Sequence, residues 1–288
     1  MNKLQELVSK LSLSGGLNKT FLPQVRFFKN LESTEKVDLL YKQGVIFMLQ
    51  GHKCIYTNSH TISYDPHNFL VLTVPMPLKC QAFSIDGEPI IAMLLDIEFG
   101  TLNSLIDIIK DKNMYKKISQ GDKNKGLFVS DVDQRLRSAL CRLLICLRDE
   151  IEAKIFGPDI IKEIIYLILK KEEAAPLFAL ATKNTNLSKI EAALKDVETN
   201  YSQPFDVETL ARSVNMSISS FHQTFKNVTS SSPIQYLKKV RLSKAREYLV
   251  ERKLTVSETA ESVGYESVSQ FNREFKRYFG VTPGTLNK

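Results

Sequence analysis

An internal repeat in the C-terminal third of this 288-residue chain constrains its fold more than any other feature. Segments 208–233 and 257–283 carry the same residue types at offsets of 49 and then 50 positions. The one-residue difference falls inside a turn, so both helices of each segment keep their register. The chain therefore duplicates one supersecondary element. The matching pairs are Ala211 and Ala260, Val214 and Val263, Ser217 and Ser267, Phe221 and Phe271, Phe225 and Phe275, and Pro233 and Pro283.

Each copy meets the physical requirements of a helix-turn-helix. The first helix needs a small residue where the second helix crosses it closely, and Ala211 and Ala260 supply one. The turn needs a residue that tolerates left-handed backbone geometry, and Asn215 and Gly264 are suited to it. We therefore predict two helix-turn-helix units, at about 206–226 and 255–277.

Polar residues at the predicted helix starts support this interpretation. Ser217 and Ser267 stand where the second helix of each unit needs an N-cap. Ser267 with Gln270, and Thr255 with Glu258, have the spacing of capping boxes.

The second helix of each unit has an apolar face and a polar face. Phenylalanines four residues apart predict the buried face in both copies. The opposite face carries side chains that donate and accept hydrogen bonds, as contact with a DNA major groove requires. The predicted DNA-binding residues are Ser219, His222, Gln223 and Lys226 in the first unit, and Ser269, Asn272, Arg273 and Lys276 in the second.

Segment 232–251 joins the two units, with Ser232 as its cap and Pro233 as its first residue. Nothing interrupts it for about five turns, and such a helix spans on the order of 28 Å. It is long enough to hold two recognition helices about one DNA turn, roughly 34 Å, apart. Its basic residues are predicted to contact phosphates. They are Lys238, Lys239, Arg241, Lys244 and Arg246.

The N-terminal half has a different pattern, in which short β-rich runs alternate with turn residues between positions 44 and 97. Asp65-Pro66, Pro75, Pro77 and Asp86-Gly87 separate the runs, which is typical of an all-β sandwich or barrel. The predicted strands are 45–49, 53–57, 61–64, 68–74, 78–85 and 90–97.

A helical period begins near residue 101, where 102–110 predicts one helix. A longer amphipathic helix is predicted from Asp131 to Ile151, and Pro158 is placed at the first turn of another over 159–171. A mixed segment follows, and the domain boundary is placed near residue 184. The long helix carries an apolar stripe made of Val132 and four leucines, Leu136, Leu140, Leu143 and Leu147.

Composition limits the class of protein without deciding it. The net charge of +7 permits a polyanionic partner, but a weakly basic enzyme would have the same charge. The N-terminus lacks the apolar core of a signal peptide, and no run approaches the ~18 apolar residues of a membrane span. Four cysteines without C-x-x-C spacing suit a reducing compartment. We therefore expect a cytoplasmic protein that does not interact with membranes.

Histidines and cysteines in the β region raise two alternatives. His52, His60 and His67 suggest a metal site, but their spacing separates them on different strands or turns, so we predict no metal and no cofactor. Cys54 and Cys80 would need exposed, activated thiolates to sense oxidants, and the apolar strand patterns around them favour buried, inert thiols. Cys141 and Cys146 are interpreted as packing residues of the amphipathic helix.

Residues 205–284 resemble the paired signatures of the AraC/XylS family of transcription regulators. The resemblance rests on SISSFHQTFKNVTSSSPIQYLKKVRLSKAREYL and SVGYESVSQFNREFKRYFGVTP and covers both units and the connecting helix. It implies sequence-specific binding to double-stranded DNA, with base contacts from Ser219, His222 and Gln223, and from Ser269, Asn272 and Arg273.

Residues 20–180 resemble, more weakly, the sensor domain of one branch of that family. The similar segments are MLQGHKCIY, YDPHNFLVLTVPMPLKC and EPIIAMLLDIE. This resemblance implies a cupin-like β-barrel that receives a small-molecule effector, followed by helices that form a homodimer. It favours the stripe of Leu136, Leu140, Leu143 and Leu147 as the dimer seam.

The predicted protein is thus α+β with two domains. Residues 1–184 form a cupin-like effector-sensing and dimerisation domain, and 185–288 form an all-α DNA-binding domain. It is predicted not to be an enzyme, and contact with RNA polymerase is a possible mode of action. Three alternatives stay open: a cupin-type metal enzyme fused to a DNA-binding module, a regulator whose N-terminal half binds no small molecule, and an interaction protein made of two helical hairpins.

Overall fold

The computed structural model describes residues 3–57, 61–110, 123–182, 184–252 and 254–286. The chain forms a β-rich N-terminal domain and a helical C-terminal domain, as the sequence predicts. Within the described ranges, the helices are all too short or too polar to cross a membrane.

Ten strands in the described residues form two antiparallel sheets. The larger sheet has the order β1-β2-β9-β4-β7-β10, and the smaller one the order β3-β8-β5-β6. All six predicted strands are present, whereas the sequence analysis missed β1, β2, β3 and β10. Their bounds are β1 Gly16–Lys19, β2 Val25–Asn30, β3 Val37–Tyr41, β4 Gly44–Gln50, β5 His52–Tyr56, β6 Thr61–Tyr64, β7 Asn68–Leu72, β8 Met76–Phe83, β9 Ile90–Leu95 and β10 Leu127–Asp131.

Five helices of the described N-terminal domain accompany the sheets. Their bounds are α1 Lys3–Ser9, α2 Phe99–Lys110, α3 Gln134–Cys146, α4 Glu150–Leu169 and α5 Ala175–Ala181. The prediction of a single helix over 131–151 is wrong, because α3 ends at Cys146 and a separate helix, α4, begins at Glu150. The Asp149 side chain accepts hydrogen bonds from the backbone N–H groups of Ile151 and Glu152 and so starts α4 there. Pro158 consequently lies inside α4 and not at a first turn.

The C-terminal domain contains two units of three helices. They are α6 Asn186–Thr199, α7 Val207–Ser213 and α8 Ile218–Thr229, then α9 Pro233–Glu247, α10 Val256–Ser262 and α11 Val268–Phe279. The connecting helix α9 is shorter than predicted, because regular α geometry ends at Glu247 and one π turn follows over Tyr248–Arg252.

The buried side chains form two separate clusters. The first runs from the N-terminal domain through α6, α7 and α8 and ends at Val240 of α9. The second begins at Leu242 of the same helix and contains the interior of the second unit, including Phe271 and Phe275. The first unit therefore shares a core with the β domain, and the second unit has a core of its own.

Candidate nucleic-acid interface and barrel cavity

The turns and caps of both units have the predicted geometry. Asn215 and Gly264 adopt left-handed conformations, with φ of 54° and 81°. Ser217 caps α8 and Ser267 caps α11, each accepting a hydrogen bond from a backbone N–H three residues on. Thr255 and Glu258 form a reciprocal capping box.

The predicted capping box at Ser267 is only half formed. The Ser267 hydroxyl accepts from the backbone N–H of Gln270, but the Gln270 amide does not reach back to the cap. It donates instead to the Glu274 carboxylate one turn along, at 3.3 Å. A carboxylate acceptor on the same helix face therefore replaces the cap as the partner of Gln270.

Paired phenylalanines fix the inner face of each second helix. The ring centroids of Phe221 and Phe225 lie 5.4 Å apart, and those of Phe271 and Phe275 lie 5.5 Å apart. All four rings are fully buried. Because residues at i and i+4 share a helix face, the remaining positions of α8 and α11 point away from the core.

The eight predicted DNA-binding side chains lie on these outward faces. Seven are exposed, and Asn272 is half-buried. Within the part of the chain that the structure describes, none of the eight side chains has a hydrogen bond or an ion pair of its own. They are therefore available to a partner.

The basic residues of α9 are placed differently from the prediction. Lys238 pairs with Glu274 at 2.8 Å, Lys239 donates to Ser231 at 3.3 Å, and Lys244 pairs with Glu247 at 2.8 Å. Arg241 donates to three backbone carbonyls, and the Arg246 guanidinium lies 5.4 Å from the Phe279 ring centroid. These side chains all have partners within the domain, so a phosphate contact from any of them has to compete with those partners and stays a prediction.

The leucines of the predicted dimer seam are packed inside the N-terminal domain. Leu136, Leu140, Leu143 and Leu147 are at most 5% exposed and belong to the main core. The helix α3 packs between α1 and α4. These four side chains are therefore not available to a second copy unless the domain opens.

Histidines and cysteines show no shared site in the described residues. His52 stacks on Phe83, with ring centroids 4.5 Å apart. His67 lies in a turn, where its backbone N–H donates a hydrogen bond to the Asp65 carboxylate. His60 is outside the described residues. No group of three His, Cys, Asp or Glu side chains suited to a metal was found in those ranges.

The four thiols are unpaired. Cys80, Cys141 and Cys146 are buried, and Cys54 is half-buried beside Ser63. Burial raises the pKa of Cys141 and Cys146, which keeps both thiols protonated and unreactive.

A cavity of about 250 Å³ lies between the two sheets. Arg26, Phe28, Ala92, Leu94 and Ile46 share one face of the larger sheet, because Arg26 is opposite Leu94, Phe28 opposite Ala92 and Ile46 opposite Leu94 in the strand register. This face lines the cavity from one side. Strand β3 and Lys53 of β5 line it from the other.

The cavity is apolar but contains polar atoms that lack partners. Arg26 Nε and the Gln43 amide nitrogen are buried without a hydrogen bond to any described residue, whereas Arg26 Nη2 pairs with the Asp96 carboxylate at 2.5 Å. Lys53 Nζ lies 4.9 Å from the Tyr41 ring centroid, and burial lowers the pKa of this lysine. Buried polar groups gain stability from a hydrogen-bond partner, so these atoms are candidate contacts for a bound molecule.

The cavity adjoins a wider cleft between the two domains. Leu39, Leu40, Lys42, Gln43 and Asp96 line both spaces. The cleft has a volume of about 710 Å³. Its other wall comes from the C-terminal domain, including Glu198 of α6 and Ser243, Lys244 and Arg246 of α9. Nearby, the Tyr236 hydroxyl of α9 donates to the Pro75 carbonyl of the β domain at 3.1 Å.

Comparison with known families decides the class of protein. Residues 21–176 match the family described as the AraC-type transcriptional regulator N-terminus, and residues 210–288 match a helix-turn-helix domain. The chain belongs to the AraC-type transcriptional regulators. The first match covers more than half of the chain, and the second covers the end of α7, all of α8 and the whole second three-helix unit.

Individual relatives agree with this assignment. The virulence regulon transcriptional activator VirF of Yersinia enterocolitica is 24% identical over 84% of this chain and 88% of its own length. The RCS-specific HTH-type transcriptional activator RclR of Escherichia coli is 45% identical, over only 27% of this chain and 28% of its own. These relatives are regulators of transcription, and this AraC-type chain is a DNA-binding regulator of the same kind.

The fold also matches a solved structure over nearly its whole length. ToxT of Vibrio cholerae, with unsaturated fatty acid bound, aligns with a TM-score of 0.61 over 91% of this chain and 94% of that one. The sequence identity is 14%, so the similarity concerns the fold.

Sequence reasoning missed the residues that line the cavity and those that join the two units. Arg26 and Lys53 lie in strands whose inward face could not be assigned from short apolar runs. Arg241 is predicted from the sequence to contact phosphate, and Glu274 is not singled out, because the carbonyl partners of Arg241 and the Lys238 partner of Glu274 lie more than 20 positions away in sequence.

Proposed function

We propose that this regulator reads DNA with the outward faces of α8 and α11 in two successive major grooves. The observation that carries this proposal is that all eight polar side chains lie opposite the buried phenylalanine pairs. Arg273 suits a guanine, Asn272 and Gln223 suit an adenine, and Ser219, His222 and Ser269 accept less specific partners. Lys226 and Lys276 lie one turn further along and suit phosphates.

The barrel cavity supports a second part of the proposal, control by a small-molecule effector. Its walls are mainly Leu, Val, Ile and Phe side chains. Lys53 supplies an amine, Arg26 pairs with Asp96 at 2.5 Å but keeps its Nε without a partner, and Gln43 supplies a further donor. A ligand with an apolar body and one anionic head suits both the apolar walls and the polar groups of the cavity. We assign this role to a carboxylic acid of modest length, since the cavity has the volume of roughly eight water molecules.

ToxT supports the same chemical class. Its solved structures include complexes with an unsaturated fatty acid and with (E)-4-(8-methylnaphthalen-1-yl)but-3-enoic acid. Both ligands are carboxylic acids with apolar bodies. The likeness to this chain lies in the fold, and the charge and apolar lining of its own cavity make the class suitable here.

The position of the cavity supplies a route for control. Strand β3 and the following turn separate the cavity from the interdomain cleft, whose far wall is α6 and α9. A ligand that moves Leu40 or Gln43 changes a surface on which the DNA-binding domain rests. An effector acts in this way only if its affinity differs between two arrangements of the domains.

Ligand binding to the purified full-length protein tests the effector. Octanoic and decanoic acids should raise the melting temperature in a concentration-dependent way, because a ligand that binds the native state stabilises it. Decanol, which lacks the charge, should be weaker. Arg26→Met and Lys53→Met should each weaken the acid's effect, while Lys36→Met, which removes an outward lysine near Tyr56, should not.

Two other outcomes of this experiment have clear meanings. If neither acid shifts the melting temperature, the effector proposal is wrong and the barrel serves association or structure alone. If decanol acts as strongly as decanoic acid, the charged groups do not bind the head.

We further propose that the regulator acts in the cytoplasm as a homodimer, and that it contacts RNA polymerase when bound to promoter DNA. The apolar residues suited to a dimer contact are now those exposed on α4, where Ile151, Ile155 and Phe156 are 68%, 60% and 55% exposed. Clusters of exposed apolar side chains of this kind mark interaction sites.

A further inference from the structure

Arg241 occupies the point on α9 where one core ends and the next begins. Its neighbour Val240 belongs to the cluster shared by the β domain and the first unit, and Leu242 belongs to the separate cluster of the second unit. Among the described residues only the partly buried Tyr201 packs against both clusters. The orientation of the second unit therefore depends on α9, on the contacts of α9 and α11 with β3, and on the polar contacts around Arg241.

The Arg241 guanidinium joins both units through backbone carbonyls. Its Nε donates to the Tyr201 carbonyl at 2.7 Å and its Nη2 to the Gln203 carbonyl at 3.0 Å, both in the loop that leads into α7. Its Nη1 donates to the Gly264 carbonyl at 2.9 Å, in the turn of the second unit. One planar group thus joins two segments to α9, as the rigid donor geometry of arginine allows.

The two segments that Arg241 joins are also in direct contact. A Cβ atom on Gly264 would clash with the Ser202 carbonyl oxygen, so the turn of the second unit packs directly on the loop of the first. Next to this contact, the Arg241 guanidinium lies 6.0 Å from the Tyr265 ring centroid. The Tyr265 hydroxyl donates in turn to Glu274 of α11 at 2.8 Å. The contacts therefore continue from Arg241 to the second recognition helix.

In the described residues, the first unit has no equivalent joint. There the turn carbonyl of Asn215 accepts a hydrogen bond from Lys189 Nζ at 3.2 Å, and Lys189 belongs to α6 of the same unit. The repeat therefore uses a basic residue of the leading helix to bind the turn in both copies. In the second copy the residue is an arginine, and its two remaining donors reach back to the first unit.

We propose that Arg241 is the positioning residue that sets the angle between the two recognition helices, and hence the spacing of half-sites that the regulator accepts. This inference rests on the proposed reading of DNA by both units. If the helices lie about 34 Å apart, a rotation of about 10° at the joint displaces one of them by about 6 Å, nearly two base-pair steps. A small loss of rigidity at Arg241 therefore changes spacing rather than base preference.

The test is a binding-site selection from a library in which both half-sites and the spacer between them vary. The full-length wild type, Arg241→Ala, Arg241→Lys and Lys189→Ala are selected in parallel. The wild type and Lys189→Ala should enrich one spacer length. Arg241→Ala should enrich the same half-sites, while its preference for that spacer falls on the order of tenfold, a usual size for coupling between two sites. Arg241→Lys keeps the charge but has fewer hydrogen-bond donors, so its spacer preference should be intermediate between those of the wild type and Arg241→Ala.

The outcomes separate this inference from a merely structural role and from the proposed function. If both Arg241 variants retain the spacer preference of the wild type, the inference is wrong. It is equally wrong if Arg241→Ala loses affinity by the same factor for every spacer and for isolated half-sites, since that result indicates damage to folding. A wild type that enriches no spaced pair overturns the proposed two-unit reading, and the inference with it.

Discussion

Lys238 of the connecting helix and Glu274 of the second recognition helix form an ion pair, with Nζ 2.8 Å from the carboxylate oxygen. The Glu274 side chain is 12% exposed and also accepts hydrogen bonds from Tyr265 and Gln270. Although burial alone raises the pKa of this carboxyl, the hydrogen bonds from Lys238, Tyr265 and Gln270 and the charge of Lys238 lower it overall. The carboxylate form therefore holds α11 on α9.

This pKa shift predicts a dependence of stability on pH. A group whose pKa is lower in the folded state contributes stability above its unfolded pKa, near 4.5, and the contribution is lost as the pH falls through the folded value. Glu274→Gln should therefore destabilise the protein by about 1–2 kcal/mol at neutral pH. The difference from wild type should shrink below about pH 4. Urea unfolding across this range measures it, and a difference that does not change with pH would contradict the assigned role of the charge.

Gly264 predicts a second effect on stability. Its φ of 81° is unfavourable for side chains, and a Cβ there meets the Ser202 carbonyl oxygen. Gly264→Ala should cost about 1–3 kcal/mol, because left-handed strain and the clash add. Gly284→Ala is the matched control, since a Cβ at that position meets nothing within 4 Å. Thermal unfolding should show a lower melting temperature for Gly264→Ala than for Gly284→Ala. Equal melting temperatures would show that the turn adapts to the added methyl group.

The exposed residues of α4 predict where a dimer forms. Ile155→Glu with Phe156→Glu should give monomers in light scattering while the melting temperature stays near that of the wild type, because both side chains are exposed. Replacing Leu140 and Leu143 with charged residues should instead unfold the domain, because both are buried. A dimer that survives the first double variant places the contact elsewhere.

We also predict that the protein works without a metal. Elemental analysis should find no stoichiometric transition metal, and EDTA should leave DNA affinity unchanged. This prediction includes His60, so the informative variant is the triple replacement of His52, His60 and His67 by Ala. Zinc or iron bound one-to-one in the wild type and lost in that variant would refute it.

Local signals made the DNA-binding units predictable. The signals that predict a turn, a cap or a buried helix face involve residues only a few positions apart, so they can be recognised in the sequence. Examples are the turn residues Asn215 and Gly264, the cap Ser217 and the phenylalanine pairs. Because the chain repeats the unit, the same turn, cap and phenylalanine positions predict both copies. The exposed faces of α8 and α11 followed from helical periodicity alone.

Long-range contacts explain what was missed. Strands β1, β2 and β3 have weak alternation, and Arg26 and Lys53 are polar residues whose inward orientation depends on pairing with strands far along the chain. The leucine stripe predicted an apolar face correctly, but periodicity cannot tell a face buried within the chain from one buried between copies. Arg241 resembled a phosphate contact because its carbonyl partners lie more than 20 positions away.

The reading of DNA by two units is tested most directly by parallel binding-site selection on wild type, Arg273→Ala and His222→Ala/Gln223→Ala. Each variant should relax preference at one or two base pairs, in different halves of the site, and Arg273→Ala should cost about 1–3 kcal/mol on the preferred sequence. Lys226→Ala serves as the phosphate control and should weaken all sequences alike. An unchanged motif in the Arg273 variant would contradict the assignment of α11 as a recognition helix.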